Sequence, residues 1–280
     1  MRLWKLIPCA WIAVVMSGCG TSSGDDTALR RIRDTDSIRI GYAVEPPFAL
    51  LNEGGVVGGE SPEVARRIVA RLGVHHVDWI QTDFDALIPG LESGRFDVIA
   101  AGMFITPQRA RRVSFSEPTL HVRAGLLVTS GNPRHLTSYA DAVADAAVKV
   151  AVIAGSVEEA ALRAAGLPES RLASVPDALT GRVGVTSGAV AALALSSPSV
   201  HWMAAHDPTR ATQPVLLSEA GTGGFGAFAF RRAETSLLSA WNVALKEFVG
   251  SEEHLRIIVP LGFDRSELPG SMTTAQVIGR

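Results

Sequence analysis

The chain has 280 residues, a formal net charge of −2 and only 2 cysteines. At this length single hydrophobic cores stop growing and chains divide, so two lobes are expected. Hydrophobic residues make up 47% and charged residues 19%, which excludes a disordered chain, and near charge balance leaves no basic footprint for gripping nucleic acid.

In chain order, Arg2 and Lys5 precede an apolar run over residues 6–15, only about half of the ~20 residues a membrane span needs. The pattern predicts a signal peptide over residues 1–18. It ends in Met16-Ser17-Gly18-Cys19, which resembles the lipobox of bacterial lipoproteins, where the cysteine thiol takes a diacylglycerol; Met16 stands where leucine is usual. The alternative is a plain secretory signal with an incidental cysteine. Cys19 is therefore expected to carry the lipid, and Cys9 to leave with the signal. Residues 19–26 are small and polar, the composition of a flexible tether, so the folded body is expected from Thr27 onward. The mature protein is expected outside the cytoplasm, held to the membrane by lipid alone.

The alternation in residues 37–42 predicts a strand, and Ser61-Pro62-Glu63 opens a helical run through Leu72 that Gly73 stops. Residues 77–80 predict a strand, 84–93 a helix and 96–101 a nearly continuous apolar strand. Strands alternating with helices imply a mostly parallel sheet covered on both faces. Gly131-Asn132-Pro133 marks a break. Beyond it, residues 148–153 read as a buried strand, 157–165 as a helix opened by Gly155-Ser156, and 190–195 as another apolar stretch. Residues 223–230 predict a strand entered from a flexible turn, and 237–249 a closing amphipathic helix. This order implies a first lobe of residues 27–130 plus 225–280 and a second of 131–224, with two crossings that form a hinge over a cleft.

Gly221-Thr222-Gly223-Gly224-Phe225-Gly226 satisfies the G-x-G-x-x-G pattern, but a strand follows it where a dinucleotide site needs a helix. The seven histidines make no metal spacing: His75 and His76 are adjacent, and His201 and His206 are five apart. No G-x-S-x-G elbow occurs, and the mature chain keeps no cysteine nucleophile. Neither a cofactor nor a metal is expected. What remains suits a zwitterion. Arg109 follows Thr106-Pro107, where a proline opens a helix and a guanidinium fork at its mouth matches a carboxylate. Glu45 and Phe48 follow the first strand, Phe84 precedes the second helix, and Phe104 follows the third strand. Three phenylalanines on three strand-to-helix loops would converge over one sheet edge, and aromatic faces beside a carboxylate attract a delocalised organic cation. Each phenylalanine alone is more often core than cage, and Glu45 alone reads as an exposed loop charge; it is their convergence with an acid and an arginine that points to a site. Glu158 lies in the first turn of a helix, where the macrodipole favours a carboxylate and capping is an equal reading.

At these residues the chain resembles the family 3 periplasmic solute-binding proteins, receptors of ATP-driven importers, and more narrowly the ectoine/hydroxyectoine-binding proteins. The resemblance covers residues 38–269 and rests on Ile40-Gly41-Tyr42-Ala43 with Glu45-x-Pro47-Phe48, Leu87-Ile88-Pro89-Gly90-Leu91, the block from Gly94 to Pro107, and Gly226-Ala227-Phe228-Ala229-Phe230-Arg231. It implies an α/β fold of the periplasmic-binding-protein-like type II, with two lobes, a two-strand hinge and the ligand between them. By motif, an aromatic box of Phe48, Phe84 and Phe104 with Glu45 would hold the ligand's cation, Arg109 its carboxylate, and Glu158 would be an acidic group from the far lobe. At position 84 the family commonly has tyrosine. General amino-acid receptors of the family carry an aspartate near residues 191–196 for the α-ammonium; this chain has Ser196 and no Asp from Gly181 to His206. The resemblance implies a non-enzyme that binds a small zwitterionic solute such as ectoine or hydroxyectoine, acts as a monomer and partners with permease transmembrane subunits. A polar or cationic amino acid is the alternative solute, and an enzyme similar to the cyclohexadienyl dehydratases, with Glu158 as its acid or base, is the alternative class.

Overall fold

The computed structural model describes residues 27–217 and 223–279. The expected signal peptide, tether and Cys19 lie outside the described residues. The first part of the chain runs α1 (Thr27–Thr35), β1 (Ser37–Tyr42), β2 (Leu50–Leu51), β3 (Val57–Gly58), α2 (Glu60–Arg71) and β4 (His76–Gln81). A 3-10 turn, Phe84–Ala86, then leads into α3 (Leu87–Glu92), followed by β5 (Val98–Ile99), α4 (Pro107–Ala110), β6 (Val113–Phe115) and β7 (Leu120–Thr129). The second part runs α5 (Tyr139–Ala144), β8 (Val150–Ile153), α6 (Val157–Ala164), β9 (Leu172–Val175), α7 (Ala178–Thr186), β10 (Ala192–Ser196), α8 (Ser197–Ala205) and β11 (Thr212–Leu216). β12 (Gly223–Gly226), β13 (Ala229–Arg231), α9 (Thr235–Phe248), α10 (Glu252–Ile258) and α11 (Thr274–Ile278) close the chain.

Two mixed α/β sheets result. The first has the order β4-β1-β5-β13-β6, with β4, β1 and β5 parallel and β13 antiparallel to both neighbours. The second has the order β11-β7-β10-β8-β9, with β10, β8 and β9 parallel. Both parallel cores are apolar on both faces, as a sheet covered by helices on each side requires. Val98 and Ala100 enter the cluster of Ile40, Ile68, Phe230 and Trp241, while Ile99 and Ala101 enter that of Leu87, Phe96 and Met103. β8 and β10 divide the same way, Val150, Val152, Ala192 and Ala194 to one face and Ala151, Ile153, Leu193 and Leu195 to the other.

β7 belongs to both lobes. Residues 120–123 pair with β12, and residues 124–129 pair with β10 and β11. The break at Gly131-Asn132-Pro133 carries the expected first lobe to residue 130, whereas residues 124–129 already lie in the second sheet. The strand expected over 223–230 is two strands. The chain turns at Ala227-Phe228, where the Ala227 N–H donates to Met103 O at 3.1 Å and the Phe228 N–H to Ser116 Oγ at 3.1 Å. β12 therefore stays with the hinge and β13 enters the first sheet.

Asp97 ties three elements together, and its side chain is fully buried. It pairs with Arg31 of α1 at 2.7 Å, Arg39 of β1 at 2.8 Å and Arg231 of β13 at 3.2 Å. Burial pushes its carboxyl up, but hydrogen bonds from Arg39 and Arg31 more than offset this and leave it below its ordinary value. Asp97→Asn is expected to lower the unfolding free energy by about 3 kcal/mol, because removing one partner of a buried pair strands the others. In the unsubstituted protein the same contribution is present above about pH 4, where the unfolded carboxyl is ionised, and fades as the pH falls from there through the lower value of the folded Asp97. Urea unfolding of both proteins at pH 7 and pH 3 measures this; a difference that persists undiminished at pH 3 contradicts it.

Candidate ligand-binding site

In a parallel sheet the loops leaving the carboxyl ends of neighbouring strands share one edge. β1 is followed by Glu45 and Phe48, β4 by Phe84, and β5 by Gly102, Phe104 and Arg109. In the second sheet β8 is followed by Gly155, Ser156 and Glu158, while β10 ends at Ser196 and Ser199 lies in the first turn of α8. The two edges face each other. All six residues singled out in the sequence, Glu45, Phe48, Phe84, Phe104, Arg109 and Glu158, line one narrow cavity of about 20 Å³ together with Gly102, Ser156, Val157 and Ser196.

Local structure seats each of them. Glu45 and Ala49 exchange backbone hydrogen bonds at 3.0 Å, which folds the Glu45–Phe48 loop back on itself. Phe48 packs edge-on against Phe263 at 5.4 Å between ring centres. Gly102 has φ +60 and no β-carbon, and a side chain there would overlap the Phe48 ring. Phe104 bridges to Gly226 of β12, and its ring lies on Gly224, where a β-carbon would stand 2.7 Å from it. Phe48 and Phe104 share the core cluster that holds Leu120 and Val122 of β7, so each is both core and cavity wall. Phe84 is half-buried and packs against clusters of both lobes.

Arg109 sits on the single turn of α4. Thr106 Oγ1 accepts its backbone N–H at 3.2 Å, and Pro107 opens the turn, as expected. Its guanidinium donates to Phe104 O at 2.8 Å and across the cleft to Gly155 O at 2.9 Å. It also lies over the Phe84 ring at 5.3 Å from the ring centre. That face of Phe84 therefore meets the arginine. Two of the five guanidinium donors are used here, which leaves others for a carboxylate.

The cavity holds two carboxylates and one guanidinium. Burial raises the Glu45 carboxyl to about 7, the Glu158 carboxylate adds to this, and the Ser199 hydroxyl and Arg109 oppose it. Burial also raises Glu158, against its backbone hydrogen bond, Arg109 and Ser156. Burial lowers Arg109 to about 10, with Glu158 and Glu45 opposing. All three groups stand in weakly screened surroundings, where ionised both acids would outnumber the base.

Two supports escaped the sequence. Ser199 donates to Glu45 Oε1 at 2.7 Å from the opposite lobe. A serine in a helix's first turn gives no local signal for a contact 154 positions away. The fully buried Glu60 accepts from Ser61 Oγ at 2.6 Å, and Ser61 Oγ accepts the Gly102 N–H at 2.9 Å. Ser61 was expected to open α2; the helix begins one residue earlier, at Glu60, and the hydroxyl instead steadies the Gly102 loop. Burial raises the Glu60 carboxyl to about 7 against hydrogen bonds from Ser61 and Thr119.

The model of the bacterial extracellular solute-binding proteins, family 3, matches residues 38–258. A probable amino-acid ABC transporter periplasmic-binding protein, y4tE of Sinorhizobium fredii, is 31% identical over 242 residues, covering 84% of this chain and 80% of its own. The probable arginine-binding protein ArtJ of Chlamydia trachomatis is 31% identical over 222 residues, covering 75% and 78%. Among solved structures, EhuB in complex with hydroxyectoine superposes with a TM-score of 0.83 at 32% identity, covering 90% of this chain and 98% of EhuB.

The raised Glu45 carboxyl carries a pH signature. An unfolded glutamate loses its proton near pH 4.3 and the folded one near 7, so between these values the folded state holds the extra proton and stability falls as pH rises. Glu45→Gln removes that decline. The ligand-free variant is expected to gain about 1–2 kcal/mol over the unsubstituted protein at pH 8 and little at pH 4, with partial exposure of the side chain moderating the figure. Thermal unfolding at the two pH values checks this, and an equal effect at both contradicts it.

Proposed function

The chain belongs to the bacterial extracellular solute-binding proteins, family 3, and from that premise we propose that it is the receptor of an ABC importer for a small zwitterionic compatible solute, ectoine or hydroxyectoine. The observation that carries this reading is the cavity between the two sheet edges in which Phe48 and Phe104 stand with Glu45, and Arg109 stands with Phe84. A cyclic amidinium spreads its charge and is attracted to aromatic faces, so the first group suits the solute's cation. A guanidinium with free donors suits its carboxylate. Glu158, brought by the second lobe, adds an acidic wall that becomes complete when the lobes meet. The likeness to EhuB, whose structure holds hydroxyectoine, supports the choice of solute. We further propose that a lipid on Cys19 holds the receptor to the membrane and that it delivers its solute as a monomer to the permease subunits, without catalysing a reaction.

A second reading is favoured by the charge count in the cavity. Two carboxylates against one guanidinium fit a solute with an extra positive charge, such as a cationic amino acid, and the likeness to ArtJ points the same way.

Calorimetric titration of the purified protein with ectoine, hydroxyectoine, L-arginine, L-lysine and L-histidine separates the readings. Binding of ectoine or hydroxyectoine is expected; a response to amino acids alone would overturn the first reading in favour of the second. Arg109→Ala is expected to abolish binding while leaving the protein folded, and an unchanged Kd would remove Arg109 from the site. Phe104→Leu is expected to weaken binding by about 0.5–2 kcal/mol if its ring faces the cation.

A further inference from the structure

Besides Glu158, the second lobe brings neutral polar groups to the cavity from β10 and α8, where no aspartate stands from Gly181 to His206, and one of them reaches Glu45 directly. Ser196 ends β10 at the position just before α8, its hydroxyl making no cap bond to the helix, and Ser199 follows in the first turn. Ser196 Oγ donates to Ser199 Oγ at 3.2 Å, and Ser199 Oγ donates to Glu45 Oε1 at 2.7 Å. Ser199 is fully buried, and Glu45 belongs to the other lobe, so the contact exists when the lobes are together. A hydroxyl that already accepts a hydrogen bond donates more strongly, and the first turn of a helix favours a nearby anion.

We propose that Ser199 is a positioning residue of the solute site: delivered across the cleft on α8, its hydroxyl holds Oε1 of Glu45 and leaves Oε2 for the solute's cation. The inference rests on the solute-receptor reading. In this role Ser199 touches the carboxylate and not the solute, and Ser196 keeps the Ser199 hydroxyl pointed at Glu45. Through α8 the second lobe thus helps bind the cation with a neutral hydroxyl, in addition to the Glu158 carboxylate on α6. The bond also favours the ionised form of Glu45. Facing Glu45 besides Ser199 on α8 are Glu158 on α6, which disfavours that form, and Arg109 on α4, which favours it.

The test compares the unsubstituted protein, Ser199→Ala, Glu45→Gln and the double variant by calorimetry from pH 6 to pH 9, with ectoine and L-arginine as probes. Whichever probe binds, Ser199→Ala is expected to weaken it about tenfold or more at pH 7, the range for a hydrogen bond to a charged group. The loss should shrink toward pH 9, because without Ser199 the Glu45 carboxyl titrates higher and is ionised only in alkali. In the Glu45→Gln background the serine substitution should cost about twofold or less, since residues that act through one another are not additive. A purely structural serine would give the same loss in both backgrounds and an unmoved pH profile, and that result overturns the proposal. A readout without solute separates it from the choice of solute. The carboxyl carbon of Glu45, followed by carbon-13 NMR, should titrate at higher pH in Ser199→Ala. If neither probe binds but that midpoint moves, the role of Ser199 stands and the solute reading falls; if the midpoint stays, the role of Ser199 falls as well.

Discussion

The fold is organised around one electrostatic constraint: an arginine and two glutamates share one cavity between the sheets, Glu158 buried and Glu45 and Arg109 part-buried. Desolvating each of them is costly, and the protein offsets that cost with fixed partners. Arg109 is held by the carbonyls of Phe104 and Gly155 and by the face of Phe84, so its guanidinium is oriented before a solute arrives. Glu45 is held by Ser199, and Glu158 by the first turn of its own helix with Ser156 beside it. Charges held in this way need little rearrangement when a solute binds.

The same contacts explain why the two lobes behave as one site. The cavity lies between the carboxyl edges of two sheets, and the bonds Arg109–Gly155 and Glu45–Ser199 both cross it. β7 runs without interruption from β12 to β10 and β11, so rotation of one lobe on the other bends a strand near the site. Phe104 is pinned to β12 through Gly226 and packs with Leu120 and Val122 of β7, which places an aromatic wall of the cavity on the hinge itself. A solute that contacts both edges shifts the population toward the closed form by its differential affinity for it.

Much of this could be read from residue order, for a physical reason. Parallel strands put their following loops on a common edge, so Glu45, Phe48, Phe84, Phe104 and Arg109 converge once β1, β4 and β5 are recognised, and Glu158 is placed by its helix start. The α/β alternation and both parallel cores were equally visible, because strands buried on two faces are continuously apolar. What escaped was contact between distant segments. Ser199 carries no local pattern that distinguishes it from a solvated serine. β6 and β7 were not foreseen as strands, since β7 alternates buried and exposed residues over 120–123 and is then continuously buried from Ala124 to Val128. α7 lies over a stretch with two glycines and weak periodicity, and packing against Leu193 and its neighbours decides it. α1 is short, and its place is set by Arg31 on Asp97 and by the Ala28 N–H donating to Glu234 at 3.3 Å, partners that lie far along the chain.

The central claim is that a zwitterion lies in this cavity with its cation among the rings of Phe48 and Phe104 beside Glu45 and its carboxylate on Arg109. A crystal structure of the protein grown with ectoine tests it most directly. The account predicts the amidinium ring within contact of both phenylalanines and the carboxylate oxygens within hydrogen-bond distance of the Arg109 guanidinium, with Ser199 still on Glu45. Ectoine bound elsewhere, or bound in the cavity with its carboxylate turned away from Arg109, would contradict it.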